Sequence, residues 1–435
     1  MNILLIGSGA REHAIARALE RSPKKKRINC LASSVNPGLI KLCSEIKIGN
    51  INDPKSVSRY AKERSIRLAI VGPENPLANG VADALWDEGV KVVGPKKELA
   101  QIETSKSFTR DLLVEYKIPG CPNYRTFSSM NGVVSFLNEL GENYVVKYDG
   151  LAGGKGVRVA GDHLHSQDDA LSYCQELVSR GDEFVIEEKL FGQEFSLMSF
   201  CDGSTLKHMP AVQDHKRAYE GDTGPNTGGM GTYSDTNHSL PFLNDNDIAK
   251  ARDINTSTVR ALKDKFGAGY KGVLYGGFIA TAKGIKLIEY NARFGDPEAM
   301  NVLPLLESDF VEICNGVASG TLENVDVKFQ HKATVCKYAV PEGYPDSPTK
   351  GSPIDVSSIE NPDSLFYASV DIQNGQLVEA GSRTVAVVGM ADSISEAEII
   401  AEKEISSVTG PLFHRTDIGT DAVVQKRVHH MNSLR

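Results

Sequence analysis

An apolar run at Asn2 to Ile6, a Gly7-Ser8-Gly9 turn and a helical pattern through Ala14, Ala18 and Leu19 open the chain, and this order constrains the fold more than any other feature. A strand that feeds directly into a helix returns beside itself as a parallel strand, so the segment starts a βαβ series. Further apolar runs at Ile28 to Ala32, Ile66 to Val71 and Val90 to Val93 continue it, with helical stretches at Pro54 to Arg64 and Pro76 to Glu88. Residues 1–103 therefore read as a Rossmann-like parallel α/β domain. Val93-Gly94-Pro95 closes it, a linker is expected near Gly94 to Glu103, and Thr104 to Lys117 reads as a new amphipathic helix.

A chain of 435 residues exceeds one ordinary core, and about 150 residues per domain suggests about three units. Strand patterns at Asn143 to Tyr148, Val157 to Ala160 and Phe184 to Glu188 flank a glycine-rich loop, which marks 123–193 as a compact subdomain with a flap. Residues 104–122 and 194–328 form a larger unit carrying a long helix, Asp245 to Phe266. Residues 329–435 read as a mixed β lobe with a helix at Ser395 to Thr409, so the fold class is multi-domain α/β. The segment from Asp222 to Gly231 looks too glycine-dense for regular structure, and long irregular loops in compact domains are often functional. With 48 basic against 56 acidic side chains, no general attraction to nucleic acid or membrane is expected. The short apolar start breaks at Arg11 and Glu12, which disfavours a secretory signal, and the chain is expected in the cytoplasm. Seven cysteines without a CxxC pair suggest reduced thiols rather than zinc ligands.

The motifs concentrate chemistry at strand ends. Gly7 to Glu12 begins like a dinucleotide fingerprint, but Glu12 stands where its third glycine belongs and no acidic residue ends the second strand. That argues against NAD. The turn is either an anion site at a helix N-terminus, with Gly9, Ala10 and Arg11 around a phosphate, or a plain tight turn. Glu74 and Asn75 follow a parallel strand at its carboxyl end, where ligands bind in such sheets, though Glu74 also suits a helix start. The loop Gly150 to Gly156 is one residue short of a Walker motif, with Gly156 in place of the metal-binding hydroxyl. Its glycines, Gly153 and Gly154 among them, can still fold N–H groups over phosphates while Lys147 and Lys155 supply charge; the alternative is a hairpin without function. Glu187, Glu188, Lys189 and Leu190 run off a strand toward Glu194 in a way that suits an adenine edge and a ribose hydroxyl. In Ile285 to Glu298, Glu289 and Asn291 are two residues apart and share one face of a strand, offering hard oxygen ligands of the kind Mg²⁺ prefers. Arg293 and Asp296 follow at once, a guanidinium and a carboxylate suited to bringing phosphate and carboxylate charges together. A strand that simply ends in a solvated loop is the competing reading.

The strings GSGAREHA, VGPENPL, KYDGLAGGKGV, EEKLFGQEFS, QDHKRAYEGDTGPNTGGMG and EYNARFGDPE occur in this order along essentially the whole chain. Together they resemble the glycinamide ribonucleotide synthetases, ATP-grasp ligases of purine biosynthesis. The resemblance implies an ATP-grasp fold over 104–328, a lid at 123–193, and ATP-driven ligation of glycine to 5-phosphoribosylamine through a glycyl phosphate. It implies that Lys106, Lys147 and Gly153 to Gly156 hold the ATP phosphates, that Glu187 to Leu190 line the adenine site with Glu194 on the ribose, and that Glu289 and Asn291 ligate Mg²⁺ or Mn²⁺. It further implies that Gly9 to Glu12 with Glu74 and Asn75 take the ribosylamine, and that Arg293 and Asp296, with Asp214 and Lys216, orient glycine or its acyl phosphate. A monomer or small homo-oligomer acting on small molecules, without nucleic acid or membrane, is expected.

Overall fold

The computed structural model describes residues 1–153 and 156–435. Its amino-terminal sheet is fully parallel, in the order Glu45–Ile48, Arg27–Ala32, Asn2–Ile6, Leu68–Val71, Lys91–Val93. Helices cover both faces, which is why Ile3 to Ile6 and Leu68 to Val71 are apolar without alternation and buried throughout. The edge strand Glu45–Ile48 escaped the sequence reading because its residues alternate charged and apolar, as a half-exposed edge requires.

Two expectations for this region are corrected. The helix expected over Pro76 to Glu88 is two short ones, Glu74–Ala78 and Val81–Asp87, broken at Gly80, whose φ of +83° suits glycine alone. The linker expected near Gly94 to Glu103 contains the helix Lys97–Thr104, with Leu99, Ala100 and Ile102 buried. Gly94 and Pro95 do end the strand, but a helix starts at Lys97. Ser105 then caps the next helix, Lys106–Glu115, by accepting from Phe108 N at 3.0 Å.

The central sheet is antiparallel, in the order Leu206–His208, Gly192–Asp202, Lys271–Thr281, Gly284–Asn291. The helix Asp245–Phe266 packs on it with the bounds expected, between an Asn244 and Asp247 capping box and Gly267 in the left-handed region. A second antiparallel sheet, Tyr124–Phe127, Phe184–Glu188, Tyr144–Tyr148 and Val157–Val159, encloses its own core of Phe136, Tyr144, Val146, Leu177 and Phe184.

In the carboxy-terminal sheet, Gln213–Asp214 and Gly231–Ser234 pair onto Ala333–Pro341, Val385–Ala391 and Leu365–Tyr367. The glycine-dense segment is more regular than expected, since Arg217–Tyr219 and Thr223–Asn226 form an antiparallel ribbon. Its glycines serve close approach: a side-chain carbon at Gly231 would lie 2.3 Å from the Cys336 carbonyl oxygen. The helix Asp421–Leu434 returns to cover the central sheet.

Candidate active site

The strand Gly284–Asn291 changes phase before it reaches the site. Phe278 pairs with Leu287 but Gly277 pairs with Glu289, so Ile288 is an extra residue, a β-bulge. Ile285 and Leu287 are buried on one side before the bulge, and Tyr290 is buried after it. The bulge therefore turns Glu289 and Asn291 away from the buried face that Glu289 would otherwise share with Leu287. The Ile288 carbonyl accepts from Arg110 Nη2 at 2.6 Å and from Lys147 Nζ at 3.3 Å. Glu289 lines a cleft with Glu194, Ser196, Asp214, Lys216 and Tyr275. Burial opposes its ionisation, yet the charges of Lys216, Lys147, Lys106 and Arg293 prevail and hold its carboxyl below the usual range. Among the described residues, Asn291 Oδ1 has only a long contact from Arg293, at 3.5 Å, and keeps acceptor capacity. Among the described residues no cluster of three or more His, Cys, Asp or Glu forms a metal cage. An ionised carboxylate and a carboxamide oxygen beside lysines fit a divalent cation that shares its shell with phosphates.

The lysines are held by a buried network. Glu187 pairs with Arg110 at 2.7 Å and with Lys147 at 2.7 Å, and all three side chains are almost inaccessible. Burial pushes the Glu187 carboxyl up, but the two cations outweigh it and bring its pKa down to about 2. Lys147 is lowered by its own burial despite Glu187. The Glu187 carboxylate thus faces its counter-ions. Glu188 accepts from Asn123 N at 2.9 Å and Lys189 Nζ donates to the Ala160 carbonyl at 2.6 Å, while Leu190 is half-buried where the strand ends. Glu194 is exposed and reaches Lys216 Nζ at 3.3 Å, the main reason that the Lys216 pKa is raised. Lys106 Nζ donates to the Gly150 carbonyl at 2.9 Å. The Asp149 carboxylate accepts from Lys106 N, Ser107 N and the hydroxyls of Ser105 and Ser107, so the glycine-rich loop starts anchored to a helix N-terminus. Gly153 is exposed with φ +54°, and Gly156 is buried against Tyr148 and Ala152. Gly154 and Lys155 lie outside the described residues.

Residues 292–297 are where the amino-terminal, central and carboxy-terminal parts meet. Arg293 lies 3.0 Å from Glu103 and 3.3 Å from Glu74, and Glu103 also accepts from Ala292 N at 2.7 Å. Arg11 Nη1 donates to the Phe294 carbonyl at 3.3 Å. The Asp296 Oδ1 atom accepts from the Tyr338 hydroxyl at 2.7 Å and lies 3.1 Å from Arg383 Nη2. Nearby, Glu12 fills the mouth of its own helix: Oε2 accepts from Gly9 N at 2.6 Å and Oε1 from Arg11 Nε at 2.6 Å. Any anion at this turn must therefore lie beside the Glu12 carboxylate rather than in its place. Ala10 is buried, and Asn75 is exposed. Asp214 is pushed well above the usual carboxyl range by burial and then by Glu298, and its Oδ1 has no partner among the described residues. Glu298 accepts from the Tyr275 hydroxyl at 2.8 Å, and burial raises its pKa too.

Sequence reasoning missed Glu103, Arg110, Asp149, Glu298, Tyr338 and Arg383. Glu298 ends the string that carries Glu289 and Asn291, and Asp149 sits inside the KYDGLAGG string, so both were within reach. The others meet the site only through long-range packing.

A central antiparallel sheet whose cleft holds Glu289 and Lys216, a smaller antiparallel sheet with its own core and a parallel amino-terminal domain make up an ATP-grasp ligase. The chain belongs to the phosphoribosylglycinamide synthetase family, whose N domain matches residues 1–103, ATP-grasp (A) domain residues 104–299 and C domain residues 334–421. It is 50% identical to the phosphoribosylamine–glycine ligase of Methanosarcina barkeri over 435 residues, covering 100% of both chains. It is 48% identical to the enzyme of that name from Methanocaldococcus jannaschii, again over 100% of both. Among solved structures, the phosphoribosylamine–glycine ligase of Thermotoga maritima aligns with a TM-score of 0.81 at 26% identity, over 96% of this chain and 100% of that one. A biotin carboxylase complex from Campylobacter jejuni shares the fold, with a TM-score of 0.72 at 12% identity over 99% of this chain and 95% of that one.

Proposed function

We propose that the protein joins glycine to 5-phosphoribosylamine at the expense of ATP, giving glycinamide ribonucleotide, ADP and phosphate through a glycyl phosphate, as a step of de novo purine biosynthesis. The observation that carries this reading is Glu289 beside Lys216 in one cleft, with Lys147 on the carbonyl of the preceding Ile288 and Asn291 two residues on, in a chain about half identical over its full length to ligases of that name. Glu289 and Asn291 would hold Mg²⁺ or Mn²⁺, which neutralises phosphate charge during transfer. Lys106, Lys147 and the loop Gly153 to Gly156, Lys155 included, hold the triphosphate, with Glu187 keeping Lys147 and Arg110 in place. Glu188, Lys189 and Leu190 border the adenine, and Glu194 meets the ribose.

The glycine carboxylate attacks the γ-phosphorus and the bond to the β-phosphate oxygen breaks, leaving ADP and an acyl phosphate. The ribosylamine nitrogen then attacks the acyl carbon, and the tetrahedral centre expels phosphate as the amine loses a proton. Neither step needs a protein nucleophile, so alignment and charge carry the catalysis. Asp214 and Lys216 border the acyl end of the cleft, and Arg293 and Asp296 stand between it and the Gly9 to Glu12 turn, where with Glu74 and Asn75 the ribosylamine lies. The units 1–103, 104–122 with 194–328, 123–193 and 329–435 are the working parts: ribosylamine domain, core, lid and carboxy-terminal lobe. No helix among the described residues is long and apolar enough to cross a membrane. A cytoplasmic monomer or small homo-oligomer fits this reading. ADP should form only when glycine, phosphoribosylamine and Mg²⁺ are all supplied; ADP release with D-alanine and none with glycine would refute the substrate assignment.

A further inference from the structure

Asp296 is held in an unusual way for a residue facing a substrate junction. Both contacts to its Oδ1 come from the carboxy-terminal lobe: the hydroxyl of Tyr338, a fully buried side chain, and Arg383 Nη2. Arg383 itself is fixed from several sides. Its Nη1 donates to the carbonyls of Gly228 at 2.5 Å, Gly229 at 3.0 Å and Asp296 at 3.1 Å, and its guanidinium lies 4.5 Å from the centre of the Tyr338 ring. A planar fork that bridges one carboxylate and three carbonyls while stacking on an aromatic ring has no lysine equivalent. With Oδ1 engaged, Oδ2 is the atom left over. It points toward the amino-terminal domain, since a side-chain carbon added at Gly9 would lie 3.9 Å from it.

We infer that Arg383 and Tyr338 are positioning residues for the ribosylamine: they lock Asp296 so that its second oxygen meets the hydroxyl and amine hydrogens of the sugar at the Gly9 turn. This rests on the ligase reading above and names the carboxy-terminal lobe as a determinant of ribosylamine recognition. Among the described residues, no hydrogen bond or ion pair joins either residue to Lys106, Lys147 or Glu289, the groups assigned to the nucleotide. A purely architectural clamp would weaken both ends together.

The test is equilibrium binding to the full-length protein, with ribose 5-phosphate as the stable probe for the sugar end and MgADP for the nucleotide end. Arg383→Lys and Tyr338→Phe should each raise the Kd for ribose 5-phosphate by about tenfold, the usual effect of losing one hydrogen bond to a charged group, and leave that for MgADP within about twofold. In turnover the KM for phosphoribosylamine should rise while those for ATP and glycine hold. Parallel weakening of both probes, or unchanged affinity for ribose 5-phosphate, overturns the assignment. Should Arg383→Lys fail to fold, Tyr338→Phe removes a single oxygen and decides alone. Wild-type protein that binds MgADP but not ribose 5-phosphate removes the ribosylamine reading, and the inference with it.

Discussion

Replacing Glu187 with glutamine keeps the shape of the side chain and removes the charge that pairs directly with Arg110 and Lys147. The carboxylate accepts from Arg110 Nε at 2.7 Å and Nη2 at 3.0 Å and lies 2.7 Å from Lys147 Nζ. A pKa brought from 4.5 down to about 2 corresponds to roughly 3 kcal/mol of native-state stabilisation. Breaking a buried pair by deleting one partner costs about 3–5 kcal/mol, which agrees. Because the folded value lies below the unfolded one, this contribution is fully present above about pH 4.5 and is lost as the pH falls toward about 2. Lys147 and Glu187 belong to the smaller sheet and Arg110 to the core, so the loss should fall where those parts meet. Hydrogen exchange read by mass spectrometry is the suitable assay. Peptides covering Tyr144–Tyr148 and Phe184–Glu188 should exchange roughly a hundredfold faster than in wild type at pH 7, and the gap should close in acid. Trp86, the single tryptophan, lies in the amino-terminal helix Val81–Asp87, so its fluorescence transition serves as a control that should not move. Equal exchange in the two proteins at pH 7, or a matching shift at Trp86, would refute the argument.

Other outcomes follow from the same geometry. Glu289→Ala or Asn291→Ala should abolish turnover and weaken Mg-nucleotide binding tenfold or more while thermal melting changes little; near-normal turnover in both variants would remove the metal role. Gly72→Ala would place a carbon 2.1 Å from Glu12 Oε1 and 2.7 Å from its Cγ and Cδ, forcing the capping carboxylate off Gly9 N. Urea unfolding followed at Trp86 should then show a loss of about 1 kcal/mol or more, and an unchanged midpoint would contradict the capping role of Glu12.

Much of this was legible in the sequence, for reasons that differ by residue. The parallel sheet announced itself because strands buried on both faces are apolar throughout, as at Ile3 to Ile6. The helix Asp245–Phe266 did so through its caps, and Glu289 and Asn291 through their two-residue spacing. The spacing predicted a shared face, but which face depends on the bulge at Ile288, and a bulge is set by pairing with Gly277 and Phe278 on another strand. Glu187 read as a ligand edge because its string borders the cleft, and only three-dimensional packing shows its carboxylate turned to Arg110, 77 residues away. Arg383 and Tyr338 lie in a strand-rich stretch without a motif, so nothing local marked them. The supposed linker at Gly94 to Glu103 failed for a related reason: Gly94 and Pro95 are genuine breakers, yet a helix follows and delivers Glu103 to Arg293.

In the proposed reaction glycine is activated on its own carboxylate before the amine attacks. Turnover with glycine labelled in both carboxylate oxygens by ¹⁸O tests it directly, because one of those oxygens must leave on the phosphate. Mass analysis should find one labelled oxygen in each phosphate released during ligation; phosphate without label would contradict a glycyl phosphate and the account built on it.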